Sequence, residues 1–165
     1  EVRAAPLEVL SHFGLHIGIE EYPRFENVLG KFMKKRITKD EFTALLDLPF
    51  DEGGIGFYRQ KARRLADALE EVRELSDTAG GLEKEPHKAS RAKARYIARW
   101  LLRGVKANLD DARLRGVEEL VLERARNRYT VSEFRKQLAL PANQGGAGLR
   151  SGTAKRIAEK IELIL

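Results

Sequence analysis

Residues 36–70 read RITKDEFTALLDLPFDEGGIGFYRQKARRLADALE, and residues 128–162 read RYTVSEFRKQLALPANQGGAGLRSGTAKRIAEKIE. The two stretches align without a gap at an offset of 92, with 14 of 35 positions identical, among them Thr38/Thr130, Glu41/Glu133, Phe42/Phe134, Pro49/Pro141 and three glycine pairs. The chain therefore contains an internal duplication, and reading one copy predicts the other. Thr38-Lys-Asp-Glu41 and Thr130-Val-Ser-Glu133 are both capping boxes: the threonine oxygen accepts from the third helical amide and the glutamate reaches back to the threonine amide. Each predicts a helix start. Phe42, Leu45 and Leu46, like Phe134 and Leu138, fall on one face of that helix, and Pro49 or Pro141 ends it because the residue before proline avoids helical dihedrals.

Gly53-Gly54-Ile55-Gly56 and Gly145-Gly146-Ala147-Gly148 then allow positive φ and a tight reversal into a further helix. Its expected buried stripe is Tyr58, Ala62, Leu65, Ala66, Leu69 and Val72 in the first copy. In the second copy it is Ala154, Ile157, Ala158, Ile161 and Ile164. A preceding helix, Arg24 to Lys35 or Val117 to Asn127, completes a three-helix unit. The fold class is all-α: two homologous three-helix units joined by a linker and a long basic helix. Residues 1–76 form the acidic N-terminal unit. Residues 77–89 form a mobile linker, signalled by the weak pattern Ser76 to Pro86 around Gly80-Gly81, and residues 90–165 hold the basic helix and the second unit.

Composition agrees with this class. Of 165 residues, 42% are hydrophobic and 34% charged, the profile of a globular domain, and Ala, Leu, Arg, Glu and Lys dominate between the prolines. No apolar run reaches the length of a membrane span, and the first residues lack the order of a signal peptide, so the expectation is a cytoplasmic protein with no membrane partner. Cysteine is absent, which excludes disulfides, thiolate nucleophiles and cysteine-held zinc.

Charge is unevenly placed. Residues 1–86 carry 13 basic and 17 acidic side chains, a net −4, while residues 87–165 carry 18 basic and 8 acidic, a net +10. Such separation gives a directed field that draws polyanions to one end.

Within the basic half, the helix from Ser90 to Ala107 places Arg91, Arg95, Arg99 and Arg103 every four residues. Ala94, Ile97, Ala98, Leu101 and Val105 lie on another face. Lys88, Lys93 and Lys106 add charge, and no carboxylate occurs from His87 through Leu109, so no i to i+4 pair within the helix neutralises the stripe. Two readings follow: a solvated face, or one paired with carboxylates of the N-terminal half, and a phosphate track, for which guanidinium forks are suited.

The glycine loops lead into helix N-termini and present unpaired amides, a generic anion site as well as a device of backbone geometry. The copies are unequal. Asp51 and Glu52 precede the first glycines and repel phosphate, whereas Asn143 and Gln144 precede the second, followed by Arg150, Ser151, Lys155 and Arg156. The expected nucleic-acid-binding residues are Arg91, Arg95, Arg99, Arg103 and Lys106 together with Gly145, Gly146, Gly148, Arg150, Ser151, Lys155 and Arg156.

Gly56-Phe-Tyr-Arg-Gln-Lys61-Ala62-Arg-Arg-Leu65 resembles a stretch of helix-hairpin-helix DNA glycosylases of the endonuclease III type, and Gly148-Leu-Arg-Ser-Gly-Thr-Ala154-Lys-Arg-Ile157 resembles a helix-hairpin-helix hairpin more loosely. The likeness covers about ten residues per copy. It implies hairpins whose backbone amides approach a DNA phosphate without reading bases. The glycosylases' lysine-bearing catalytic hairpin and downstream aspartate have no counterpart here, and without cysteine no iron-sulfur cluster is held, so the activity does not carry over.

Other enzymatic patterns are sparse. His12 and His16 share a helical spacing but have Gly14 between them and no carboxylate nearby, which suits local packing or exposure better than a metal site. Glu83, Glu85 and Lys88 echo acidic-plus-lysine nuclease sites only in composition. Tyr96 and Trp100, four apart on the basic helix, suit either base stacking or the edge of a core. The expected function is non-catalytic nucleic-acid binding without cofactor or metal, with DNA favoured over RNA. The alternatives are a protein-protein assembly subunit, through a protein partner or self-association, and an accessory domain of a larger DNA-processing enzyme, which a first residue other than Met permits.

Overall fold

A computed structural model of the chain describes residues 5–82 and 87–165; among them it contains eight α-helices, one 3-10 turn and no strand. The fold is all-α. The residues divide into two compact units at Glu74 and Leu75. The first contains α1 (Pro6–His12), α2 (Tyr22–Met33), α3 (Lys39–Asp47) and most of α4 (Arg59–Gly80). The second contains α5 (His87–Leu102), α6 (Asp111–Ala125), α7 (Val131–Ala139), a 3-10 turn at Ala142–Gln144 and α8 (Ser151–Ile161).

Local sequence sets the helix ends. Glu41 N–H donates to the Thr38 hydroxyl at 3.2 Å and Thr38 N–H to the Glu41 carboxylate at 2.7 Å, and Thr130 and Glu133 repeat both distances. These boxes satisfy amides that a bare helix start leaves open. Adding 92 to the bounds of α3 gives those of α7, and adding 92 to the starting residue of α4 gives that of α8. Upstream, α2 closes with Lys35 at φ 56° and α6 with Asn127 at φ 57°. In both, the next amide reaches back five residues, Arg36 to the Lys31 carbonyl and Arg128 to that of Glu123, each the long bond of a Schellman turn.

The glycine loops share most of their backbone bonds, although the Ile55 N–H to Leu45 O bond of the first is not repeated from Ala147 in the second. Gly54 N–H donates to Pro49 O, Gly56 to Leu48 O and Phe57 to Leu46 O; their counterparts are Gly146 to Pro141 O, Gly148 to Leu140 O and Leu149 to Leu138 O. Gly54 and Gly146 carry the steric demand, since a β-carbon there would stand 1.8 Å from the Leu48 carbonyl oxygen and 2.1 Å from that of Leu140.

Each unit buries its own core. In the first, Phe25, Leu29, Phe42, Leu46, Ala66 and Leu69 are fully buried, and the Phe32 and Phe42 rings stack 4.3 Å apart at 12°. Removing one such ring from water contributes roughly 1.5–3 kcal/mol. Arg73 caps this stack: its guanidinium lies 4.3 Å over Phe32 and donates to the Phe32 carbonyl at 3.1 Å. In the second unit, Val117, Val121 and Leu122 of α6 join Phe134, Leu138, Ala154, Ile157 and Ile161. There α5 packs along α6 and α8, and Lys160 Nζ donates to the Trp100 carbonyl at 2.6 Å while lying 4.2 Å over its indole.

Three expectations change. Tyr58 is 87% exposed, and Phe57 is buried in its place; α4 starts one residue after Tyr58, so the helical stripe does not yet apply to it. The linker over 77–89 is shortened at both ends, because α4 continues to Gly80 with Leu75, Ala79 and Leu82 buried and α5 begins at His87 rather than Ser90. Those residues extend the apolar spacing past Ser76 and override the glycine signal. Glu83 and Glu85 lie outside the described residues. Finally, the basic helix ends at Leu102 rather than Ala107: Gly104 takes φ 81°, the left-handed conformation that stops a helix. Val105, expected on its apolar face, is half-buried beyond that end.

Candidate nucleic-acid interface

The arginine stripe divides into segments with different surroundings. Arg95 Nε donates to Glu118 Oε1 at 3.0 Å, and an Arg91 terminal nitrogen lies 4.0 Å from a Glu119 oxygen. The neutralising carboxylates thus come from α6, in the same unit, and not from the N-terminal half. The Arg91 and Arg95 side chains remain 65% and 55% exposed, a setting in which each pair contributes only about 0–1 kcal/mol. Arg99 is exposed and makes no ion pair among the described residues. Arg103 and Lys106 are exposed but lie past the end of α5, so they do not continue its face. Trp100 is 5% exposed and belongs to the core, whereas Tyr96 is 50% exposed.

The second glycine loop forms a different surface. Gly145 and Gly148 have φ of 81° and 63° and are exposed; Gly146 is buried against the Leu140 carbonyl. Leu149 tucks into the core, and Arg150, in an extended conformation, precedes α8 without a side-chain cap. Among the described residues no acceptor meets the amides of Ser151, Gly152 and Thr153. Those amides and the helix dipole leave partial positive charge at this end. Arg150 and Arg156 are exposed without ion pairs among the described residues, and Lys155 lies 3.7 Å from Glu159 in an exposed i to i+4 pair.

Arg113 joins this surface, and the sequence reading did not single it out. Its guanidinium comes within 3.7–3.9 Å of where a β-carbon on Gly148 would stand, which brings it from the first turn of α6 to the loop. The offset of 92 pairs Arg113 with Glu21, so extending the alignment upstream of Arg36 would have revealed the change of sign.

The first loop has the same backbone and the opposite surroundings. Arg24 Nη1 donates to the carbonyls of Phe50 and Gly54, at 2.5 and 2.9 Å, and its guanidinium lies 4.0 Å over the Phe50 ring. In the second unit Gly116 occupies the equivalent place, and the Gly146 carbonyl stands 3.5 Å from where a β-carbon on Gly116 would be. Arg59 is drawn to Asp47 at 3.2 Å, and Lys61 lies 4.7 Å over the Phe57 ring. Arg24, Arg59 and Lys61 are therefore engaged with the protein itself, whereas Arg63 and Arg64, the counterparts of Lys155 and Arg156, are exposed without ion pairs among the described residues, and Asp51 and Glu52 are exposed in the loop.

Among the described residues, no group of three or more histidine, aspartate and glutamate side chains is arranged to hold a metal ion, and no helix is long and apolar enough to cross a membrane. Comparison with known proteins adds nothing to this geometry: no family model, curated protein or solved structure matches the chain.

Proposed function

We propose that the chain binds the phosphate backbone of nucleic acid, DNA in preference to RNA, through the second glycine loop and the start of α8, without catalysis. The observation that carries this reading is the contrast between two loops of the same backbone. In the second, Arg113 and Arg150 adjoin the open helix start, with Arg156 in the second turn of α8, and none of the three makes an ion pair among the described residues. In the first, Glu21 stands in place of Arg113 and Tyr58 in place of Arg150, and Arg59 is paired with Asp47, while Arg64, the counterpart of Arg156, is exposed without an ion pair among the described residues. Backbone amides and guanidinium groups contact phosphate oxygens irrespective of base. The helix-hairpin-helix resemblance implies the same mode of contact. Arg99 and the outward parts of Arg91 and Arg95 extend the positive surface along α5.

The test is a titration of fluorescent DNA and RNA duplexes at low and high salt, with mass measured in parallel. Binding that weakens steeply with salt, at constant protein mass, supports the reading. Absence of binding at low salt overturns it.

A further inference from the structure

The first unit carries a surface whose chemistry is the reverse of the second loop. His16, Gly18 and Glu21, from the connection between α1 and α2, face Gly56, Tyr58 and Lys61 across a depression of about 440 Å³. On this corner Tyr58 is 87% exposed, and Ile19, in the same connection, is 93% exposed. Neither is needed for the fold, and both expose apolar surface to water. Glu20 and Glu21 adjoin Ile19, and Asp51 and Glu52 lie in the loop just before the glycines; none of the four makes an ion pair among the described residues. At the equivalent positions the second unit has Arg113 for Glu21, Arg150 for Tyr58, and Asn143 and Gln144 for Asp51 and Glu52.

We infer that this corner of the first unit is a protein-docking site for a cationic, partly apolar peptide segment of a partner. Exposed tyrosine and aliphatic side chains at the rim of a depression supply the desolvated centre of a protein interface. Glu21 in the lining, with Glu20 beside it and Asp51 and Glu52 in the loop that supplies Gly56, favours lysine- or arginine-bearing partners over phosphate. The duplicated unit would then hold a protein at the corner where its sister holds an anion. This inference is independent of nucleic-acid binding by the second unit, and each can fail alone.

The probe is a fluorescent peptide of alternating arginine and leucine, titrated into the intact chain, with a glutamate-leucine peptide as control and amide chemical shifts recorded. The expected result is binding of the cationic peptide alone, with shifts centred on Ile19, Glu21 and Tyr58. An Ile19→Ser/Tyr58→Ala variant, which keeps every charge, should lose about tenfold or more in affinity. Both residues are exposed, so an unchanged melting curve checks that the variant is folded. Absence of binding, or undiminished binding by the charge-preserving variant, overturns the proposal. So does a DNA duplex that produces the same shifts at Tyr58. A rise in mass with concentration that disappears in the variant also overturns it, by making a second copy of the chain the occupant.

Discussion

Arg95 Nε and Glu118 Oε1 meet at 3.0 Å across α5 and α6, with Glu118 nearly buried and the arginine half in solvent. The pair fixes one edge of a guanidinium whose charge the sequence alone presents as free. Arg99, one turn further along, has no such partner among the described residues. Arg99→Gln is therefore expected to weaken duplex binding about five- to tenfold at low salt, and Arg95→Gln to do so less. Fluorescence anisotropy on the two variants measures the difference; a larger loss from Arg95 would mean that the ion pair opens to admit phosphate.

The left-handed residues closing α2 and α6 differ in cost. Asparagine tolerates φ near 57° better than lysine does near 56°. Lys35→Gly should raise stability by up to about 1 kcal/mol, and Asn127→Gly by less. Denaturant unfolding of both variants reads this directly.

Gly146→Ala should destabilise the second unit by about 2 kcal/mol or more, because its β-carbon would meet the Leu140 carbonyl oxygen. Gly152→Ala, which meets nothing within 4 Å in the first turn of α8, should be neutral or stabilising. Thermal melts of the pair distinguish a glycine required by packing from one that is not.

The capping glutamates give the fold an acid-sensitive component. Hydrogen bonds from the Thr38 amide and then its hydroxyl hold the Glu41 carboxyl below its usual range; Thr130 does the same for Glu133. A carboxyl lowered in the folded state contributes stability above its unfolded value, and that contribution is lost as pH falls through the folded one. The melting temperature should hold above the ordinary glutamate range and decline as pH falls below about 4.5. Glu41→Gln/Glu133→Gln, which keeps a hydrogen-bond acceptor, should decline less steeply. Thr38→Ala and Thr130→Ala should each cost about 1 kcal/mol.

Features set by short-range chemistry were legible in the sequence. The capping boxes, the proline stops, the glycine reversals and the buried stripes of α4 and α8 each depend on residues within a few positions of one another, and helical spacing reads them. Tyr58 was missed because the stripe was extended one residue before the helix began. The end of α4 was missed because Gly80-Gly81 outweighed Leu75, Ala79 and Leu82. The pairing of Arg91 and Arg95 with α6 depends on how two helices pack, and no local spacing encodes it. Arg113 was within reach through the duplication, which continues upstream of its most similar segment.

The difference between the two glycine loops is tested most directly by one salt series on the wild type, Arg150→Gln/Lys155→Gln and Arg59→Gln/Lys61→Gln. If four to six phosphates are neutralised, log affinity for duplex DNA falls against log salt with a slope of about −4 to −5. The second-loop variant should bind more weakly and lose about two from the magnitude of that slope, while the first-loop variant follows the wild type. Equal losses from both variants, or no loss from either, would contradict the assignment of phosphate binding to the second loop.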